Sequence, residues 1–212
     1  MNTRSYRQNC SLARALDLVG ERWTLLIIRE LARGPKRFTD LESGLPGIGA
    51  NLLAARLKRL AAAAIIERVQ TAPGTSAYGL TQHGEGLTAT VQDLIVWGTD
   101  LLEPPSHDAE TRAAWAAMNM QAWMNRSPDV APDGTYAFAV ADEAFWLRVA
   151  DGRSQLRDGV PPYPPDAALM LDREAFLSLA TGQRDLGHTE AEIHGDRRRL
   201  EKLLETFRLP AS

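Results

Sequence analysis

The sequence predicts an α+β protein with two domains, and three observations support this prediction. Residues 11–102 carry apolar positions at helical spacing, interrupted once by a strand-turn-strand pattern. The second half contains a helix, then alternating strands, then more helices. A Pro-Pro pair breaks the helical pattern between the halves. We therefore predict domains at 1–102 and 108–212, joined by a linker at 103–107.

Composition excludes several classes of protein. The chain has 212 residues, of which 44% are hydrophobic and 24% charged, as in ordinary globular proteins. It has neither an apolar run of roughly 18 residues nor an apolar leader, so we expect a cytosolic protein with no membrane partner. Four scattered histidines lack metal-ligand spacing, so neither a metal site nor a cofactor is expected. Because no nucleophile-base pair or phosphate loop is present, we do not expect an enzyme.

Charge is unequally divided between the two halves. The net charge is −3, with +3 on residues 1–102 and −6 on residues 103–212. The positive charge of the first half fits an anionic partner better than the net charge of the whole chain does.

The first domain begins with two predicted helices. Leu12 and Leu16 share one helical face, and we expect this helix to pack on the second and to end at Gly20 in a left-handed cap. The second helix runs from about Arg22 to Gly34.

A third helix, a fourth helix and a hairpin follow. Thr39 and Glu42 have the spacing of a capping box, which predicts the start of a short third helix. Residues 44–47 end it, and the fourth helix spans about 49–63. A hairpin is predicted over 65–80, with Pro-Gly in its turn.

The fourth helix has one apolar and one polar face. Leu57 and Leu60 fall within about 40° of Leu53 on a helical wheel, which predicts a buried face. The opposite face carries side chains suited to base and phosphate contacts: Asn51, Ala55, Lys58 and Arg59. A basic strip on a lone helix more often marks a solvated surface. The order of helix, turn, helix and hairpin instead favours a winged helix-turn-helix, whose second helix enters the major groove of double-stranded DNA.

Further cations precede the third helix. Lys36 and Arg37, with Thr39 beside them, would lie near the phosphate backbone, where cations displace condensed counterions. A role in solubility explains Lys36 and Arg37 equally well.

Several segments of this domain resemble the HxlR-type regulators, relatives of the MarR group. The similar segments are Cys10-Ser-Leu-Ala-Arg, Gly20-Glu-Arg-Trp23, Gly34-Pro-Lys-Arg-Phe-Thr-Asp-Leu41 and Leu45-Pro-Gly-Ile48, within residues 8–102. The resemblance implies a homodimeric winged-helix transcriptional regulator with 49–63 as its recognition helix. The chain departs from the family in having Ser11 after the cysteine and no Lys or Arg in the wing segment 71–77.

Cys10 stands where some members of that family have a redox-sensing cysteine. Reactive thiolates need nearby positive charge, and Arg7 and Arg14 are close in sequence. The alternative is a cysteine at the helix entry with no sensing role.

A fifth helix is predicted over 82–102. Its apolar positions are spaced as in a helix-helix seam, and we expect them to form the homodimer interface: Leu87, Val91, Leu94, Gly98 and Leu101. The alternative is that this stripe packs only on its own domain.

The second domain starts with a methionine-rich and tryptophan-rich helix over 108–125. Four strands follow at about 135–141, 144–150, 153–157 and 167–171. We expect Tyr136 and Phe138 on one face and Phe145 and Leu147 on another. Helices are predicted at 172–181 and 196–207.

Short motifs here resemble sterol-carrier-protein type 2-like domains. They are Ala168-Leu-Met-Leu-Asp172, Leu179-Ala-Thr-Gly182 and Ala191-Glu-Ile-His-Gly-Asp196. The resemblance implies a pocket between sheet and helices for a hydrophobic effector, lined by apolar residues: Trp115, Met118, Trp123, Phe138, Phe145 and Leu147. The same residues equally suit simple coverage of the sheet.

Two functions follow from these patterns. The first is a transcriptional regulator, more often of the repressor kind, whose operator binding responds to a hydrophobic ligand. The second is a lipid carrier that uses its winged helix for dimerisation or protein binding.

Overall fold

The chain divides into two compact units. The computed structural model describes residues 5–102, 110–127 and 129–206. Contacts separate Met1–Val91 from Gln92–Ser212. The linker predicted at 103–107 lies outside the described residues, so the domain limits remain a prediction. No described helix has the length and apolar character needed to cross a bilayer.

The first unit is mainly helical and carries one hairpin. Its elements are α1 (Ser11–Val19), α2 (Thr24–Ala32), α3 (Phe38–Gly44), α4 (Ala50–Ala62), β1 (Ile66–Ala72) and β2 (Thr75–Leu80), followed by α5 (Gln82–Gly98), which continues past the unit boundary. The predicted order of helices and hairpin is confirmed. This region has a winged helix-turn-helix-like fold.

The first helix differs from the prediction in two ways. Gly20 caps α1 in a right-handed conformation with φ −73°, so the predicted left-handed cap is wrong. Leu12 and Leu16 remain exposed, at 67% and 38% of their surface, and only Ala13 of α1 is buried. The apolar periodicity predicted the helix correctly, but it did not predict which of its residues are buried.

The start of α3 also differs. Arg37, not Thr39, is the N-cap residue, and the Asp40 carboxylate accepts a hydrogen bond from the Arg37 backbone N–H at 3.0 Å. The predicted box of Thr39 and Glu42 is therefore wrong by two residues. Backbone N–H groups at the start of a helix have no partner within the helix, and here the Asp40 carboxylate in the first turn binds that of Arg37.

The hairpin joins α5 through a tight contact. Thr81 Oγ1 accepts a hydrogen bond from the Gly84 backbone N–H at 3.1 Å, which caps the start of α5. The same hydroxyl donates to the carbonyl of Ala64 at 2.6 Å. Thr81 thereby links the end of α4 to the first turn of α5.

The second unit contains a mixed sheet and helices. Its elements after α5 are α6 (Ala113–Met124), β3 (Gly134–Val140), β4 (Glu143–Ala150), β5 (Arg153–Asp158), β6 (Ala167–Leu171), α7 (Arg173–Ala180), β7 (Glu192–Gly195) and α8 (Arg197–Thr206). The predicted helix over 108–125 is shorter, and its first two residues lie outside the described part. The predicted end of the last helix, at 207, also lies outside it.

The sheet has the order β5-β4-β3-β6-β7. Strands β3 and β6 run parallel, and the other neighbours run antiparallel. The sequence did not predict β7, a four-residue edge strand that places Ile193 opposite Leu169.

The inner face of the sheet holds the core of this unit. Phe138 pairs directly with Phe145, and Tyr136 with Leu147. Directly opposed residues of an antiparallel pair share a face, so all four side chains point the same way. The prediction of two separate faces is therefore wrong, because it treated each strand alone. Side chains from α6, α7 and α8 complete this core.

Helix α6 is anchored by a carboxylate from the sheet. Glu143 accepts hydrogen bonds from the backbone N–H groups of Ala113 and Ala114, at 2.8 and 3.1 Å. These are two of the amides that have no partner within the helix. Glu143 thus caps α6 from about 30 residues away in sequence.

Candidate nucleic-acid interface

Helix α4 shows the predicted division into two faces. Leu53, Leu57 and Leu60 are almost completely buried. On the far side, Asn51 and Lys58 are exposed and Ala55 is half-buried. We call Asn51, Ala55 and Lys58 the α4 strip. A small residue between two polar ones lets the helix approach a surface closely, while the amide and the ammonium can reach it.

Arg59, the fourth predicted residue of this face, points elsewhere. Its Nη2 donates to the carbonyl of Asp17, and its Nη1 lies 3.4 Å from Glu21 Oε1. The neighbouring Arg56 binds Glu21 Oε2 at 2.8 Å and the carbonyl of Arg22 at 3.3 Å. The predicted DNA contact of Arg59 remains a prediction, and the described structure holds its guanidinium against the protein.

The residues before α3 lie at the base of the hairpin. Lys36 pairs with Tyr78 through both backbone groups, at 2.9 and 2.8 Å, which ties this segment to β2. Arg37 is exposed and lies 3.3 Å from the Asp40 carboxylate. Thr39 is exposed on the first turn of α3.

The hairpin carries a cation that the sequence analysis missed. Arg68 of β1 donates to the Tyr78 hydroxyl at 2.8 Å and lies over the Tyr78 ring, 4.7 Å from its centre. The wing segment 71–77 has no Lys or Arg, whereas Arg68 lies outside it on the strand β1. The cross-strand partner at the opposed register position could have indicated it, because Tyr and Arg pair well across strands.

Cys10 is exposed and precedes α1 as its N-cap residue. The backbone N–H groups of Ala13 and Leu12 lower the pKa of its thiol, since they stabilise the thiolate at the helix start. The lowering groups are therefore helix amides, whereas the sequence had pointed to Arg7 and Arg14.

The predicted seam on α5 is only partly exposed. Val91 is buried, and Leu87 and Gly98 are half-buried. Leu94 and Leu101 expose 44% and 64% of their surface. The α-helix ends at Gly98, so Leu101 belongs to a 3-10 turn and not to the predicted continuous helix. Trp97, which is not on the predicted row, is exposed as well.

The residues predicted to line a pocket lie in or beside the buried core of the second unit. Phe138, Phe145 and Phe176 pack ring against ring, with centroids 5.3 to 6.2 Å apart. Met118 and Leu147 are buried with them. Trp115 and Trp123 are half-buried at the edge, where Trp123 Nε1 donates to Thr99 Oγ1 at 3.1 Å.

Comparison with known proteins places residues 18–106 in a family described as HxlR-like helix-turn-helix. An uncharacterized HTH-type transcriptional regulator of Mycobacterium tuberculosis (strain ATCC 25618 / H37Rv) is 42% identical over 97 residues, which is 45% of this chain and 61% of that protein. The chain thus spans about three fifths of the length of this relative.

A second relative is covered more fully. The HTH-type transcriptional regulator YodB of Bacillus subtilis (strain 168) is 41% identical over 93 residues, covering 42% of this chain and 82% of YodB. A crystal structure of quinone-bound YodB from B. subtilis matches at 37% identity with a TM-score of 0.38, over 44% of this chain and 99% of that one. The chain belongs to the HxlR-like helix-turn-helix family.

Proposed function

We propose that this protein is a DNA-binding transcriptional regulator whose recognition helix is α4. The observation that carries the proposal is the α4 strip: Asn51 and Lys58 are exposed around Ala55, opposite a fully buried leucine row. The helix follows α3 across a short turn and precedes the β1-β2 hairpin. In this arrangement the second helix lies in the major groove, with its N-terminal residues at the base edges.

Asn51 and Lys58 would then have different tasks. Asn51 lies in the first turn of α4, where a bidentate contact to adenine is within reach. Lys58 is two turns further along and suits a guanine or a phosphate. Arg37 before α3 and Arg68 on the hairpin would add phosphate contacts that fix the register on the duplex.

The proposal includes a homodimer, with repression as the expected direction of regulation. Exposed Leu94, Trp97 and Leu101 form apolar surface on and just after α5, and a second copy would remove this surface from water. Two-fold symmetry would then present two α4 helices to two half-sites about one DNA turn apart.

A sterol-carrier-like second domain with a hydrophobic effector also belongs to the proposal. Its support is that the resembling motifs fall at element boundaries: Asp172 caps α7 by accepting from the Ala175 N–H at 2.7 Å, and Gly195 ends β7. An effector that reached the phenylalanine cluster would have to displace these packed rings. Its binding would shift DNA affinity only if the two conformations bind it differently.

Titration of labelled duplex DNA from upstream of the protein's own gene tests the main proposal. Lys58→Ala should weaken binding about tenfold, a value within the range of one specific contact. Lys202→Ala is the matched control, because Lys202 is also exposed but lies on α8. Wild-type affinity in Lys58→Ala, or equal weakening in both variants, would contradict the assignment of α4.

A further inference from the structure

The turn between α1 and α2 holds two arginines of α4. Glu21 Oε2 accepts from Arg56 Nη2 at 2.8 Å, and Glu21 Oε1 lies 3.4 Å from Arg59 Nη1. One carboxylate therefore binds two guanidinium groups that are one helical turn apart. We call Glu21, Arg56 and Arg59 the clasp.

Backbone carbonyl groups strengthen the clasp. Arg56 Nε donates to the carbonyl of Arg22 at 3.3 Å, and Arg59 Nη2 donates to the carbonyl of Asp17. The C-terminal end of α1 and the turn after it thus accept four hydrogen bonds from one flank of α4. A flank held at two points along its length resists rotation about the helix axis.

Burial separates the clasp arginines from the α4 strip. The side chains of Arg56 and Arg59 are only 18% and 27% exposed, whereas Lys58 is exposed. On the wheel, Arg56 and Arg59 lie about 60° and 120° from Leu53 on one side of the helix, whereas Lys58 lies about 140° from it on the other side. Glu21 offsets one of their two positive charges, and the remaining hydrogen bonds go to backbone carbonyl groups. Neither guanidinium can therefore reach a phosphate without breaking these contacts.

We propose that Glu21, Arg56 and Arg59 are positioning residues, which set the rotation of α4 so that the α4 strip meets the base edges, and that Arg59 makes no phosphate contact. This inference rests on the proposed function. Bidentate contacts to bases require donors and acceptors at hydrogen-bond distance, so a small rotation of α4 weakens specific binding most. Non-specific binding depends on charge and tolerates such a rotation.

The salt dependence of binding distinguishes positioning from phosphate contact. Loss of one phosphate contact lowers the slope of log Kd against log salt by about one for each protomer bound. Loss of a positioning residue lowers the affinity for the specific site without changing the slope. A merely structural role would lower the melting temperature and leave both the slope and the specificity ratio unchanged.

The experiment uses the full-length protein, the upstream DNA and a scrambled duplex of equal length, each across a range of KCl. We expect Arg59→Ala to weaken specific binding about fivefold, as coupling residues do, with the wild-type slope. Glu21→Gln should lower the ratio of specific to non-specific affinity by a similar factor. Lys58→Ala, next to Arg59 in sequence, should lower the slope.

Three results separate the possibilities. If Arg59→Ala lowers the slope as much as Lys58→Ala does, Arg59 touches phosphate and the inference is wrong. If Glu21→Gln leaves the ratio of specific to non-specific affinity unchanged, the inference is wrong as well. If Lys58→Ala binds like wild type, the proposed function fails, whatever the clasp does.

A second variant serves if Arg59→Ala does not fold. Arg56→Lys keeps the charge but removes the guanidinium that binds both Glu21 and the Arg22 carbonyl. The ratio of specific to non-specific affinity is then measured for Arg56→Lys.

Discussion

A Cβ atom at Gly84 would overlap the carbonyl oxygen of Ile65, which shows how closely the first turn of α5 approaches the start of the hairpin. Gly84 is buried at this contact, whereas Gly86, two residues along the same helix, has no atom near its Cβ direction. Only the absence of a side chain at position 84 permits this packing.

Gly84→Ala and Gly86→Ala should therefore act in opposite directions. Alanine is about 1 kcal/mol better than glycine inside a helix, so Gly86→Ala should raise the free energy of unfolding by up to that amount. Gly84→Ala should lower it by about 2 kcal/mol, because overlap with backbone outweighs the helix preference. Urea unfolding of both variants measures the difference, and equal effects would show that Gly84 is not at a close contact.

Capping of α6 by Glu143 gives a second prediction. Glu143→Ala removes the acceptor of the Ala113 and Ala114 amides, and we expect the second unit to lose about 1 kcal/mol of stability. Glu192→Ala is the comparison, since Glu192 is an exposed residue of the edge strand β7. The melting temperature should fall in the first variant and stay within a degree or so in the second, as surface substitutions usually do. Similar falls in both would argue against the cap.

The N-terminal segment should detach from α1 in acid. Asp17 accepts hydrogen bonds from the Tyr6 N–H at 2.9 Å and from Ser5 Oγ at 2.8 Å, and these contacts lower the pKa of its carboxyl group. A lowered folded-state pKa means that this contribution is complete above the pKa of the unfolded chain and is lost as the pH falls through the folded value. The Tyr6 amide resonance should therefore titrate with a midpoint below 3.8.

Asp17→Asn tests the cause of that titration. The amide keeps the shape of the side chain but does not titrate, so the acid-induced shift of Tyr6 should disappear. If the Tyr6 amide resonance still shifts with pH in Asp17→Asn, or if its midpoint in the wild type lies above 3.8, another group holds this segment.

The thiol of Cys10 should react at lower pH than free cysteine does. Its pKa is lowered by the Ala13 and Leu12 amides, so the thiolate fraction at neutral pH should be raised. The rate of alkylation by iodoacetamide, followed against pH, gives the midpoint. In urea the helix amides no longer converge on the sulfur, and the midpoint should rise to that of free cysteine. Identical midpoints in folded and unfolded protein would contradict this account.

The sequence predicted the elements whose cause is local. The leucine row of α4 and the fold order of the first unit depend on residues within one or two turns of each other, and both are confirmed. The capping of α3 was misassigned because Thr39-Glu42 and Arg37-Asp40 have the same spacing. Only the backbone conformation shows at which residue the helix begins. Here that residue is Arg37, whose backbone N–H binds the Asp40 carboxylate.

Contacts between distant residues were not predictable from local patterns. Glu21 and Arg59 are 38 residues apart, so a helical wheel placed Arg59 on an open face although its guanidinium binds the α1-α2 turn. Phe138 and Phe145 are only seven residues apart, and their common face follows from the pairing of the two strands, which the pattern of each strand taken alone does not show. Arg68 was missed because its partner Tyr78 lies across the hairpin.

The most direct test of the central claim places a DNA-cleaving group on the α4 strip. In a Cys10→Ser background, Asn51→Cys carries an iron chelate, and Lys202→Cys carries the same group on α8. We expect cleavage of the upstream DNA from position 51 in two clusters about one helical turn apart, and different or weaker cleavage from position 202. Bound protein that cleaves nowhere from position 51, or cleaves identically from both positions, would show that α4 does not lie in the groove.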